Sequence, residues 1–120
     1  MNKRTDKSDF VLNTKVEMRR GVMMLCILHS LQNKQYGYSL IRYLEGYGIF
    51  IGADTLYPLL RRLDRQGILS SEWDTSSSNP RKYYMLTEQG YNSYRLLRDD
   101  WYSLTANINK VLNTGGEMLE

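Results

Sequence analysis

With 120 residues and a net charge of +3, the chain has room for one compact domain and not for two separate cores. Its hydrophobic fraction of 42% and charged fraction of 24% are those of a globular protein and exclude disorder throughout. A single cysteine, Cys26, rules out an internal disulfide, and a single histidine, His29, leaves too few ligands for a Cys/His zinc site.

The start, Met1-Asn2-Lys3-Arg4-Thr5-Asp6-Lys7, is polar with no apolar stretch behind it, unlike a secretory signal. Residues 1–14 carry charge without periodicity and are expected to form a mobile arm. From Val16 to Leu31 the pattern turns apolar, continuously so from Val22 to Leu28. A helix apolar on nearly all sides belongs at the centre of a fold, and seven residues fall far short of the roughly 20 that span a bilayer. The expectation is an intracellular, cytoplasmic protein with no membrane role.

Asn33-Lys34-Gln35 breaks the first helix. Beyond Gly37 a second helix is expected from the spacing of Leu40, Ile41, Leu44 and Tyr47, stopped by Gly46 and Gly48. The third is the clearest: Leu56, Leu59, Leu60 and Leu63 make one apolar stripe, and Gly67 ends it. Its opposite face gathers Asp54, Pro58, Arg61 and Arg65, flanked by Tyr57 and Arg62. Pro58 has to lie in the first turn or bend the start of the helix.

After Gly67 the period changes to two. Residues 68–73 and 81–86 read as strands joined by the polar loop 74–80, a hairpin with a long tip. Thr87 can cap the next helix, with Glu88 well placed in its first turn. In that helix Tyr94, Leu97, Trp101, Leu104, Ile108 and Val111 follow one another at intervals of 3 and 4, a heptad seam that needs a partner. The first helix already has three neighbours, so a second copy of the chain is the favoured partner. Leu97, Trp101, Leu104, Ile108 and Val111 are then the dimer contacts.

The expected fold class is therefore mainly α with a small β-hairpin, a winged helix-turn-helix plus a long C-terminal dimerisation helix. Its divisions are an arm at 1–14, the winged domain at 15–87, the dimerisation helix at 88–112 and a frayed tail at 113–120. In that plan the third helix enters the DNA major groove and the wing reaches the neighbouring backbone. Positive charge concentrates accordingly, +5 over residues 1–82 against −2 over 83–120. Arg61 is placed to pair with guanine or clamp a phosphate, and Arg81 and Lys82 sit at the base of the wing where phosphates run. Trp73, Tyr83 and Tyr84 are assigned to packing of the wing on the core. Cys26 reads as small core filler. Nothing supports catalysis: there is no Gly-rich phosphate loop, H-E-x-x-H or G-x-S-x-G string, and Cys26 with His29 lacks an orienting acid. No cofactor or metal is expected.

The strings Tyr36-Gly37-Tyr38-Ser39-Leu40, Thr55-Leu56-Tyr57-Pro58-Leu59-Leu60-Arg61-Arg62-Leu63, Gly67-Ile68-Leu69, Pro80-Arg81-Lys82-Tyr83-Tyr84 and Leu86-Thr87 occur in an order that resembles the PadR family of bacterial transcriptional repressors. The single C-terminal helix with Trp101 resembles the short subgroup that includes multidrug-sensing repressors. The resemblance implies phosphate contacts at Tyr38 and Ser39, and a groove-facing helix start at Ala53, Thr55 and Tyr57. It also implies a dimer-interface pocket for flat aromatic ligands at Trp101, faced by Leu25 and His29. Asp54 departs from the family, which often has glycine there. A carboxylate repels phosphate but can accept from cytosine N4.

The reading is a homodimeric repressor on a pseudo-palindromic operator, with a small planar aromatic effector as a possible release signal. Two other classes stay open on sequence alone. One is a winged helix serving as a protein-interaction module; the other is a ligand carrier or enzyme using the dimer pocket.

Overall fold

Leucines spaced three and four apart drive three helices onto one another. α1 (Lys3–Ser30) contributes Ile27 and Leu28, α2 (Gly37–Glu45) Leu40 and Leu44, and α3 (Ala53–Arg65) Leu56, Leu60 and Leu63, all buried. Three strands, β1 (Gln35–Tyr36), β2 (Leu69–Asp74) and β3 (Arg81–Leu86), close one side with Leu69, Tyr84 and Leu86. α4 (Glu88–Thr114) then crosses back to α1 and adds Tyr94. Each leucine taken out of water contributes about 1.5–3 kcal/mol, and the buried apolar side chains of the described residues form this one cluster. The computed structural model of the chain describes residues 3–114.

The wing is the expected hairpin with one strand more. β2 and β3 pair antiparallel from Leu69↔Leu86 to Asp74↔Arg81, and β1 pairs with the other edge of β3 through Gln35↔Tyr84 and Tyr36↔Tyr83. A two-residue strand has no period to read, which is why Gln35 and Tyr36 look like a plain linker in sequence. Side chains alternate along β3. Lys82, Tyr84 and Leu86 face the helices, whereas Arg81 and Tyr83 face outward with Tyr36, whose ring stacks on Tyr83.

Element ends follow their sequence signals. Gly67 adopts φ +77°, the left-handed conformation that stops α3. Pro58, expected in the first turn or at a bend of the helix start, is the sixth residue of α3. The helix starts earlier, at Ala53, and tolerates an exposed proline. Thr87 caps α4 by accepting a hydrogen bond from the Gly90 N–H at 3.0 Å. The Thr87 N–H in turn donates to the Ile68 carbonyl at 3.0 Å, and its hydroxyl donates to the adjacent Gly67 carbonyl at 2.7 Å.

Those bonds hold the Ile68 carbonyl directly over Gly90, where a Cβ would collide with it. Alanine gains about 1 kcal/mol of helix propensity over glycine. Overpacking against a backbone atom that cannot retreat costs about 3 kcal/mol and wins. Gly90→Ala is therefore expected to destabilise the chain by about 2 kcal/mol net, checked by denaturant melts against wild type.

The two long helices depart from expectation at their ends. Residues 3–14, expected as an arm, are helical and continuous with the rest of α1, which runs unbroken from Lys3. Among the described residues no glycine or proline interrupts it before Gly21, and Glu17 pairs with Arg20 at 3.3 Å along its surface. Only its C-terminal end enters the core: Val22 to Cys26 are half-buried, and Phe10, Leu12 and Met18 are exposed. In the segment expected to fray, Asn113 and Thr114 are still helical, and residues 115–120 lie outside the described residues. Along α4 only Tyr94 of the seam is buried. Trp101 is half-buried, and Leu97, Leu104, Ile108 and Val111 are exposed.

Candidate nucleic-acid interface

The start of α2, the exposed face of α3 and the stem of the wing enclose an open cleft of about 810 Å³. Tyr38, Ser39, Tyr57, Arg61, Arg81 and Lys82 all line it, so six of the nine residues expected at DNA meet in one place. Arg61 is exposed on α3 and pairs with no carboxylate among the described residues. Arg65 is exposed one turn further along and lies outside the cleft. Ala53, Asp54 and Thr55 form the exposed first turn of α3 beyond the cleft lining.

Asp54 has a local role of its own. Its carboxylate folds back over Gly52, the N-cap residue, where negative charge complements the helix dipole. Tyr57 is half-buried and its ring lies against Gly37; a Cβ there would come within 2.5 Å of the ring. Gly37 thus sets the position of Tyr57 at the floor of the cleft. Tyr38 is exposed and its hydroxyl accepts from Arg42 at 3.0 Å. Ser39 donates to the Tyr36 carbonyl at 3.0 Å, which ties its hydroxyl to the first turn of α2.

The two wing cations point opposite ways. Lys82 lies 4.0 Å from Asp64 of α3 and stands over the rings of Trp73 and Tyr84. Asp64 is itself held by the Ser71 hydroxyl at 2.6 Å. Arg81 projects from the outer face, with its guanidinium 5.0 Å from the Tyr36 ring centroid. There the Tyr36 hydroxyl lies within hydrogen-bond reach of both Tyr83 and Asp74, and its phenol is pushed up to about 12, first by the Tyr83 hydrogen bond, then by burial and Asp74. Asp74 is held below the usual carboxylate range by hydrogen bonds from Ser76, which fix the start of the wing loop.

Of the three wing aromatics assigned to packing on the core, Tyr84 alone is buried there; Tyr83 stacks on Tyr36 on the outer face, and Trp73 is 62% exposed and lines the cleft. Alternation along β2 gives its face but not the absence of a covering element, so sequence could not place it in the open.

A second cavity, of about 600 Å³, lies between α1, α2 and α4. It brings together Leu25, His29 and Trp101, with Tyr43, Tyr47, Tyr102 and Arg98 around them. His29 Nδ1 is 2.5 Å from the Tyr94 hydroxyl, a bond within the subunit. Cys26 is half-buried on the cavity wall, where burial pushes its thiol up and makes it less reactive.

The sequence pattern of the transcriptional regulator PadR-like family matches residues 24–96, more than half of the chain, from the buried end of α1 through the wing and into α4. The chain belongs to the PadR-like family. Among its relatives, transcriptional regulator Rv3488 of Mycobacterium tuberculosis is 35% identical over 75 residues, which cover 62% of this chain and 70% of that protein. The crystal structure of a PadR family transcriptional regulator from Eggerthella lenta superposes with a TM-score of 0.83 at 41% identity, over 92% of this chain and 99% of that one. A PadR-like regulator from Bacillus cereus gives 0.73 at 29% identity, over 80% and 96%. Both comparisons extend the likeness beyond a bare fold.

Membership decides between the classes left open by sequence. PadR-like proteins regulate transcription by binding DNA and are not enzymes, so this chain is a DNA-binding regulator. Among the described residues no helix is long and apolar enough to cross a membrane. The matched segment ends at residue 96, so Trp101 and most of the seam lie outside it.

Proposed function

We propose that the chain is a homodimeric repressor that reads an inverted-repeat operator with α3 and the wing of each subunit. The observation that carries this reading is the cleft, where an unpaired Arg61 on the helix faces Lys82 on the inner side of the wing, with Arg81 at the rim. Arginine on a helix face can pair bidentately with guanine, and cations on the wing neutralise phosphates without reading sequence. Tyr38, Ser39, Ala53, Thr55 and Tyr57 supply the remaining contacts of the helix-turn-helix, and Asp54 discriminates at the helix start.

The seam supports the dimer. Leu97, Leu104, Ile108 and Val111 leave an apolar stripe in water along α4, with Trp101 half-buried among them. A two-fold pairing through this stripe presents two α3 helices to half-sites one helical turn apart. Selection from a random duplex pool tests the whole reading. An inverted repeat enriched at physiological salt supports it; binding that vanishes with salt and enriches no sequence contradicts it.

The cavity at Trp101 is the proposed effector site, taking a planar aromatic molecule between aromatic walls. Such a ligand acts by binding one arrangement of the dimer better than the other. Titration of planar aromatics is expected to quench Trp101, and Trp101→Ala to weaken binding at least about tenfold. An unchanged affinity in that variant rules the site out.

A further inference from the structure

Trp73 exposes a large apolar side chain within the cleft itself. The fold buries Tyr84 and Tyr94 almost completely, yet leaves the indole 62% exposed on the stem of the wing. It is the cross-strand neighbour of Lys82, and the Lys82 ammonium stands 5.8 Å from the centre of a Trp73 ring. Asp64, 4.0 Å from the same ammonium, limits where that side chain can go. The indole is therefore set on the cleft wall beside Lys82, and Arg61 lines the same cleft.

A cationic cleft that also exposes an aromatic wall suits a ligand presenting negative charge and apolar edges in alternation. The duplex backbone does this, since each phosphate is followed by a deoxyribose with only C–H groups along its edge. We propose that Trp73 is a DNA-contacting residue, its indole packing on a deoxyribose while Lys82 beside it takes the adjoining phosphate. The inference rests on the reading of the cleft as the DNA surface and adds an uncharged contact to it. Water leaves the indole when the backbone arrives, so the wing gains affinity that salt does not screen.

That difference in salt response is the test. A fluorescein-labelled random-sequence duplex of about three helical turns serves as the probe, because a sugar contact needs no particular sequence. Trp73→Ala is expected to weaken binding roughly tenfold, the loss typical of an aromatic anchor, with the slope of log K against log salt unchanged. Lys82→Ala, measured beside it, lowers the slope by about 0.9 for each phosphate released. Wild-type tryptophan emission changes on adding the duplex, and Trp73→Phe loses that change while keeping much of the affinity.

Wild-type affinity in Trp73→Ala, with Arg61→Ala and Lys82→Ala still impaired, overturns the proposal and leaves the cleft reading intact. A slope reduced as in Lys82→Ala also overturns it, since the indole would then act only by placing the lysine. A fall in melting temperature that accounts for the lost affinity assigns Trp73 to the fold instead. Failure of the wild type to bind the duplex removes the cleft reading and this contact together.

Discussion

Arg61→Ala is expected to lower affinity for the selected operator roughly 100-fold while leaving the melting temperature unchanged. The side chain is exposed and touches no carboxylate among the described residues, so its loss costs the fold nothing. On DNA, one bidentate arginine–guanine pair is worth about 1–3 kcal/mol of discrimination, and a dimer loses two of them. Non-additivity keeps the total below the simple sum. The same variant is expected to discriminate poorly between operator and mismatched duplex at the base pair that Arg61 reads. Competition binding with single-site mismatches checks this; equal losses on every duplex would reassign Arg61 to phosphate contact.

Placing a charge in the seam has the second large effect. Leu104→Glu or Ile108→Glu, both at exposed positions of α4, is expected to convert the proposed dimer to monomer with the monomer fold intact. The isolated subunit bears a glutamate there in water at little cost, but a dimer buries two unpaired carboxylates at its centre, which costs several kcal/mol. Operator affinity falls with dimerisation, because two half-sites bound by one rigid unit become two separate events. Sedimentation at matched concentrations reads the first change and operator binding the second. A dimer that persists in both variants places the interface elsewhere.

The parts of this architecture that announce themselves in sequence are those with long repeats. The leucine stripe of α3, the period-two strands and the left-handed glycine after Arg65 each have one physical interpretation, and all are present in the structure. The third strand is too short to show a period, and the helical start of α1 lacks an apolar stripe. The apolar residues of the stretch before Val16, Phe10, Val11 and Leu12, are consecutive and cannot share one helix face, so residues 1–14 read as an arm.

At the cleft, residue types were legible but their partners were not. Arg81 and Lys82 look equivalent as neighbours in sequence, yet alternation sends one to Tyr36 and the other to Asp64. Tyr57 depends on the missing side chain of Gly37, twenty residues away. Trp73 looks like a core residue by composition. Its exposure follows from tertiary geometry, because no element of the described chain covers the inner face of the wing at that point.

The most direct test of the cleft as the DNA surface is the salt dependence of operator binding by wild type and by Arg81→Ala/Lys82→Ala. The double variant is expected to bind more weakly with a shallower slope, each lost phosphate contact removing about 0.9 from it. Identical slopes for the two proteins would show that the wing cations meet no phosphate, and that the DNA lies on another face.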